Sequence, residues 1–129
     1  MELIYNVTKI ELDKFEYKSF DKQRNGESEH RLDFDFATNN LGEYYITIYH
    51  AYLCFQDNEI WCNIETTVCF TTNSRKIDDL IFLSNKAMDF TMAILSVESA
   101  KTQKETVKMV YIKQEKLRDF IINGINSLN

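Results

Sequence analysis

Hydrophobic and polar residues alternate with a period of two from Leu3 to Lys18, but the phase slips twice. Tyr5 and Val7 share one phase, Ile10 and Leu12 take the other, and Phe15 and Tyr17 return to the first. This predicts a long strand with a bulge or bend near Asp13-Lys14. The run from Asp21 to Glu29 is polar throughout and reads as a loop. From His30 to Ala37 the alternation is clean: Leu32, Phe34 and Phe36 point one way, Arg31, Asp33 and Asp35 the other.

Thr38 to Gly42 supplies turn chemistry, because Asn and Gly tolerate positive φ. Glu43 to Phe55 follows as a strand with two apolar faces. Tyr44, Ile46, Ile48 and Tyr52 lie on one, and Tyr45, Tyr49, Leu53 and Phe55 on the other. After a hairpin loop at Gln56 to Glu59, Ile60 to Thr71 returns as a fourth strand. Its inward residues are Ile60, Cys62, Ile64, Val68 and Phe70, and its outward ones Trp61, Asn63, Glu65, Thr67 and Thr71.

The period becomes helical after Asn73, with Ile77, Leu80, Ile81, Ala87, Met88, Thr91, Ile94 and Leu95 on a recurring stripe. Ser74 is the expected N-cap, and Asp78 and Asp79 suit the first turn. Ser84-Asn85 leaves open one long helix or a turn followed by a helix. Lys101 to Lys108 reads as a polar connection, Met109 to Ile112 as a short extended piece, and Lys113 to Leu128 as a last helix. The expected fold is α+β: a four-stranded antiparallel sheet followed by two C-terminal helices packed on one face. Residues 1–129 form a single domain.

The composition has 15 Lys and Arg against 20 Asp and Glu, a net charge of −5, with 1 Trp, 7 Tyr and 9 Phe among 129 residues. An acidic, aromatic-rich chain of this kind folds, and it lacks the electrostatic footprint of a nucleic-acid binder. The 3 cysteines, Cys54, Cys62 and Cys69, leave one unpaired whatever the others do. With no basic, apolar leader at Met1 to Tyr5, a reduced cytoplasmic protein is expected. No long uninterrupted apolar run predicts membrane insertion.

Catalytic constellations are hard to assemble. His50 lies mid-strand and reads as a structural, hydrogen-bonded histidine, and His30 as an exposed one. The cysteine spacing contains no Cys-x-x-Cys pair, and no glycine-rich phosphate loop is present, so neither metal nor cofactor is expected. Asp33 and Asp35 stand about 7 Å apart on one strand face, with Arg31 beside them, and read as a solvated surface rather than an acid–base pair. The expectation is a protein without enzymatic activity. Aromatic residues exceed what a sheet covered on one face requires, and Tyr45, Tyr49, Leu53 and Trp61 are the candidates for a homo-oligomer interface.

In this order of elements the chain resembles the SecB export chaperones. Val7-Thr8-Lys9-Ile10 with Asp13-Lys14-Phe15-Glu16 is similar to the family's first strand, and Arg31 to Ala37 to its Leu-Asp-Leu-Asp second strand. Ile60-Trp61-Cys62-Asn63-Ile64 resembles the fourth strand, and Val107 to Ile125 the closing segment and helix. The chain departs from the family in having no proline, no Arg-Glu pair near Met92 to Ile94, and no tail after Asn129. The resemblance implies an ATP-independent chaperone, a dimer or tetramer, that binds unfolded or aggregation-prone polypeptides in the cytoplasm, in a role extending to protein export. It implies a client groove from Phe15, Tyr17, Phe20, Leu117, Phe120, Ile121 and Ile125. The contact with a SecA-like motor that it implies would fall to Asp13 and Glu16, although Asn63 stands where the family has a further acidic residue. Alternatives are a dedicated chaperone of a single partner such as an antitoxin, and a small-ligand-binding α+β domain.

Overall fold

The two phase slips of the first strand are two β-bulges. The computed structural model describes residues 2–17, 28–39, 41–54, 60–103 and 112–126. Strand β1 (Tyr5–Tyr17) pairs antiparallel with β4 (Ile60–Thr72), and the register shifts between Val7 and Lys9 and again between Leu12 and Lys14. Thr8 and Asp13 are the extra residues. Each insertion reverses the phase of the alternation. As a result Tyr5, Val7, Ile10, Leu12, Phe15 and Tyr17 all stand on one face, opposite Thr72, Phe70, Val68, Thr66, Ile64 and Cys62. One bulge falls where the sequence placed it; the other lies at Thr8.

Strands β2 (Ser28–Thr38) and β3 (Glu43–Cys54) complete one antiparallel sheet in the order β1-β4-β3-β2. Gly42 takes φ of 79° in the β2–β3 turn, the left-handed conformation that glycine adopts without a steric penalty. Two helices follow, α1 (Ile77–Gln103) and α2 (Gln114–Asn126). The α+β architecture read from the sequence is the one observed.

Helix α1 runs without a break through Ser84-Asn85. Its interior hydroxyls are satisfied by its own backbone: Ser84 Oγ donates to the Leu80 carbonyl at 2.8 Å, and Thr91 Oγ1 to that of Ala87 at 2.9 Å. The first helical bond runs from the Leu80 N–H to the Lys76 carbonyl, so Lys76 holds the cap position. Ser74 acts two residues earlier than expected. Its hydroxyl accepts the Lys76 N–H at 3.2 Å and donates to the Asp79 carboxylate. By length and composition α1 is apolar enough to cross a bilayer, a test that the core helix of a folded domain also passes. It is the core helix: Leu80, Leu83, Met88 and Leu95 are buried with Ile46, Ile48, Ile64, Val68 and Phe70 of the sheet.

Helix α2 adds Leu117 and Ile121 to the same core and lies over β2, where the Phe120 ring packs 5.6 Å from that of Phe34. Arg118 reaches back to Asp78 of α1 at 3.0 Å. The predicted extended piece at Met109 to Ile112 lies outside the described residues except for Ile112, as do residues 104–108 of the predicted polar connection. Lys101 to Gln103 belong to α1.

Candidate functional site

The residues expected to line a client groove separate into two places. Phe15 and Tyr17 are half-buried on the helix side of β1, and Phe120 and Ile125 are half-buried on α2 over β2. Leu117 and Ile121 are fully buried in the core. Strands β1 and β2 are the two edges of the sheet. Three strand spacings, about 14 Å, lie between them. The structure therefore does not bring the two sets into one groove. Phe20 lies outside the described residues.

The face turned away from the helices carries Tyr45 and Tyr49 of the expected interface residues. Tyr45 is 37% exposed and donates from its hydroxyl to Glu43 Oε2 at 2.7 Å, a bond that raises the phenol's pKa. Tyr49 is half-buried in a shallow depression with Asp33, Asp35, Thr47 and Glu65. Leu53 is already buried within the chain, at 1% exposure, and the Trp61 side chain lies outside the described residues. Asp33 and Asp35 are exposed on this face.

Asp13 and Glu16, the candidates for motor contact, are engaged within the chain. Asp13 Oδ2 accepts from Thr67 Oγ1 at 2.6 Å, and Glu16 sits 3.5 Å from the Lys14 ammonium and accepts from Asn63 Nδ2 at 3.4 Å.

His50 is fully buried on the helix side, its ring 4.5 Å from that of Tyr52. Burial pushes the neighbouring Cys62 thiol up to about 12, and raises the Cys69 thiol and the Tyr44 and Tyr52 phenols as well. A thiol held protonated is neither a nucleophile nor a ready metal ligand at neutral pH. Among the described residues no group of His, Cys, Asp and Glu is arranged to hold a metal ion.

Sequence reasoning missed an apolar stripe on the edge of the sheet. Val7, Ile10 and Leu12 face the helix side of β1 yet are 38%, 44% and 41% exposed. Phe82 and Val97 on α1 and Ile122 on α2 are also exposed. The double phase slip was the available signal: once both bulges are counted, six apolar residues of β1 share one face, more than α1 covers.

No family model matches the sequence, and no curated protein does. Among solved structures, a SecB-like chaperone of Mycobacterium tuberculosis, in complex with a ChAD peptide from the HigA1 antitoxin, superposes with a TM-score of 0.52. The match covers 84% of this chain and 91% of that one at 7% identity. The fold is SecB-like. A Streptococcus agalactiae protein of unknown function is also similar, with a TM-score of 0.45, 12% identity, and coverage of 86% of this chain and 98% of the other. In the SecB-like frame of this chain, the four strands and two helices keep the order and antiparallel pairing read from the sequence.

Proposed function

We propose that this protein is an ATP-independent holding chaperone of the cytoplasm that binds extended segments of non-native polypeptide and catalyses no reaction. The observation that carries the reading is the shared architecture with a chaperone that was solved with a bound peptide. The client surface lies along α2 at the β2 edge, where half-buried Phe120 and Ile125 flank exposed Ile122. Aromatic and aliphatic side chains of this kind accept many sequences, because apolar contact is not directional. The buried His50 and the protonated Cys62 supply no exposed acid, base or nucleophile.

The test is suppression of aggregation of a chemically unfolded client without nucleotide, comparing the wild-type chain with Ile122→Ser and Phe120→Ser. Loss of suppression in variants whose melting shows them still folded supports the surface. Unchanged suppression in both overturns it.

The antitoxin peptide on the mycobacterial chaperone favours a second reading, a chaperone dedicated to one partner. A chain that fails with a panel of unfolded clients yet protects a single partner would establish that reading in place of the general one.

A further inference from the structure

We propose that His50 is an acid-sensitive catch between the sheet and α2: protonating its buried imidazole loosens α2 from β2 and opens the apolar layer beneath the helix.

The surroundings of the ring carry the inference. His50 is fully buried on the helix side of β3, between Leu32 of β2 and Ile64 of β4. Its ring stacks at 4.5 Å on that of Tyr52, which stands opposite Cys62 of β4, and Cys62 in turn stands opposite Tyr17 of β1. Burial keeps the Tyr52 phenol and the Cys62 thiol in their neutral forms. No Asp, Glu, Lys or Arg among the described residues is buried. On β2, Arg31, Asp33 and Asp35 are exposed on the open face. On α1, Asp89 is exposed and Glu98 accepts from Lys101 at 3.2 Å. On α2, Glu115, Lys116, Arg118 and Asp119 are all exposed. An imidazolium at position 50 would therefore lie in the apolar core, an environment that disfavours the charged form.

The sign follows from linkage. The unfolded chain takes up this proton near the ordinary imidazole value of about 6.5, and the folded chain resists it. The contribution of His50 to stability is full above about pH 6.5 and is lost as pH falls below it.

The two sides of the ring decide which element gives way. Ile64 is fully buried, whereas Leu32 is half-buried on the edge strand β2. The shorter path for water to a charged His50 runs past Leu32, along the strand over which α2 lies. Helix α2 is also the weaker anchor, with 13 residues against 27 in α1 and only Leu117 and Ile121 buried. Local opening of such an element costs less than unfolding the domain. It bares Phe34 and Phe36 on β2 as well as Leu117 and Ile121. A gain in client holding at acid pH rests on the reading of α2 as the client surface; the opening itself does not.

The test compares the full wild-type chain with His50→Leu at about pH 7.5 and about pH 5, on either side of the imidazole range. Hydrogen exchange is read separately on peptides of α1 and α2, and exposed apolar surface by binding of the dye ANS. Wild type is expected to lose protection in α2 while α1 stays protected, and to bind several-fold more dye at the lower pH. His50→Leu is expected to show neither change. His30 is present in both chains, so the difference belongs to His50. Arg118→Ala, which removes the ion pair between the helices, should respond to pH as wild type does. An acid response in His50→Leu equal to that of wild type, or loss of protection in α1 and α2 together, overturns the proposal. Should His50→Leu fail to fold at neutral pH by circular dichroism, His50→Gln, equally unable to take a charge, decides in its place. Opening of α2 without a gain in client suppression would support the catch and refute α2 as the client surface.

Discussion

Gly124 of α2 rests directly on the backbone of β2: a β-carbon at that position would sit 2.1 Å from the Phe36 carbonyl oxygen. Glycine inside a helix costs about 1 kcal/mol relative to alanine, and here that cost permits the closest approach between helix and sheet. The Phe34–Phe120 ring contact between β2 and α2 depends on that approach.

Gly124→Ala is therefore expected to destabilise the protein, although helix propensity alone predicts the opposite sign. The helix must lift from β2, and the loss should be of the order of 1–3 kcal/mol, as for other overpacked contacts. Chemical denaturation of the two chains measures it, and a stabilised variant would refute the close packing.

Thr66 of β4 and Thr91 of α1 share a hydrogen bond of 2.6 Å in the core, where both are fully buried. Because Thr91 donates to the Ala87 carbonyl, Thr66 is the donor to Thr91. Thr91→Val keeps the shape and leaves the Thr66 hydroxyl without its acceptor, at a cost of about 1–3 kcal/mol. The Thr66→Val/Thr91→Val double variant should recover much of that loss. A double-mutant cycle showing simple additivity would contradict the pairing.

Alkaline pH should weaken the fold. Burial pushes Cys62 from its ordinary value of 9.0 to about 12, and raises the Tyr44 and Tyr52 phenols above 10.0. The unfolded chain loses these protons first, so the stabilisation is full below about pH 9 and declines as pH rises from there through the folded values. Thermal melts between about pH 8 and about pH 10.5 should show Tm falling, less steeply in Cys62→Ala.

Arg118→Ala gives the contrasting case. The ion pair with Asp78 links α1 and α2, but its side chains are 47% and 83% exposed. Its removal should cost less than about 1 kcal/mol and leave the helices in place. Denaturation beside Gly124→Ala separates the two kinds of helix anchor.

The sequence by itself determined the faces of the regularly alternating strands. Period-two alternation placed Leu32, Phe34 and Phe36 inward on β2, and Ile64, Val68 and Phe70 inward on β4, because a pleated strand has only two sides. The phase slips announced a fault in β1, and the stripe of Leu117, Phe120, Ile121 and Ile125 announced the buried side of α2. Tertiary structure alone decided what lies over each face. The strand order β1-β4-β3-β2 put the halves of the expected groove at opposite edges. Helix α1 covers the sheet centre and leaves Val7, Ile10 and Leu12 open, while Leu53 on the other face is buried. Periodicity records the direction of a side chain along one element. Coverage and close approach, as at Gly124 and Phe36, depend on elements distant in sequence meeting in space, and no local pattern carries that information.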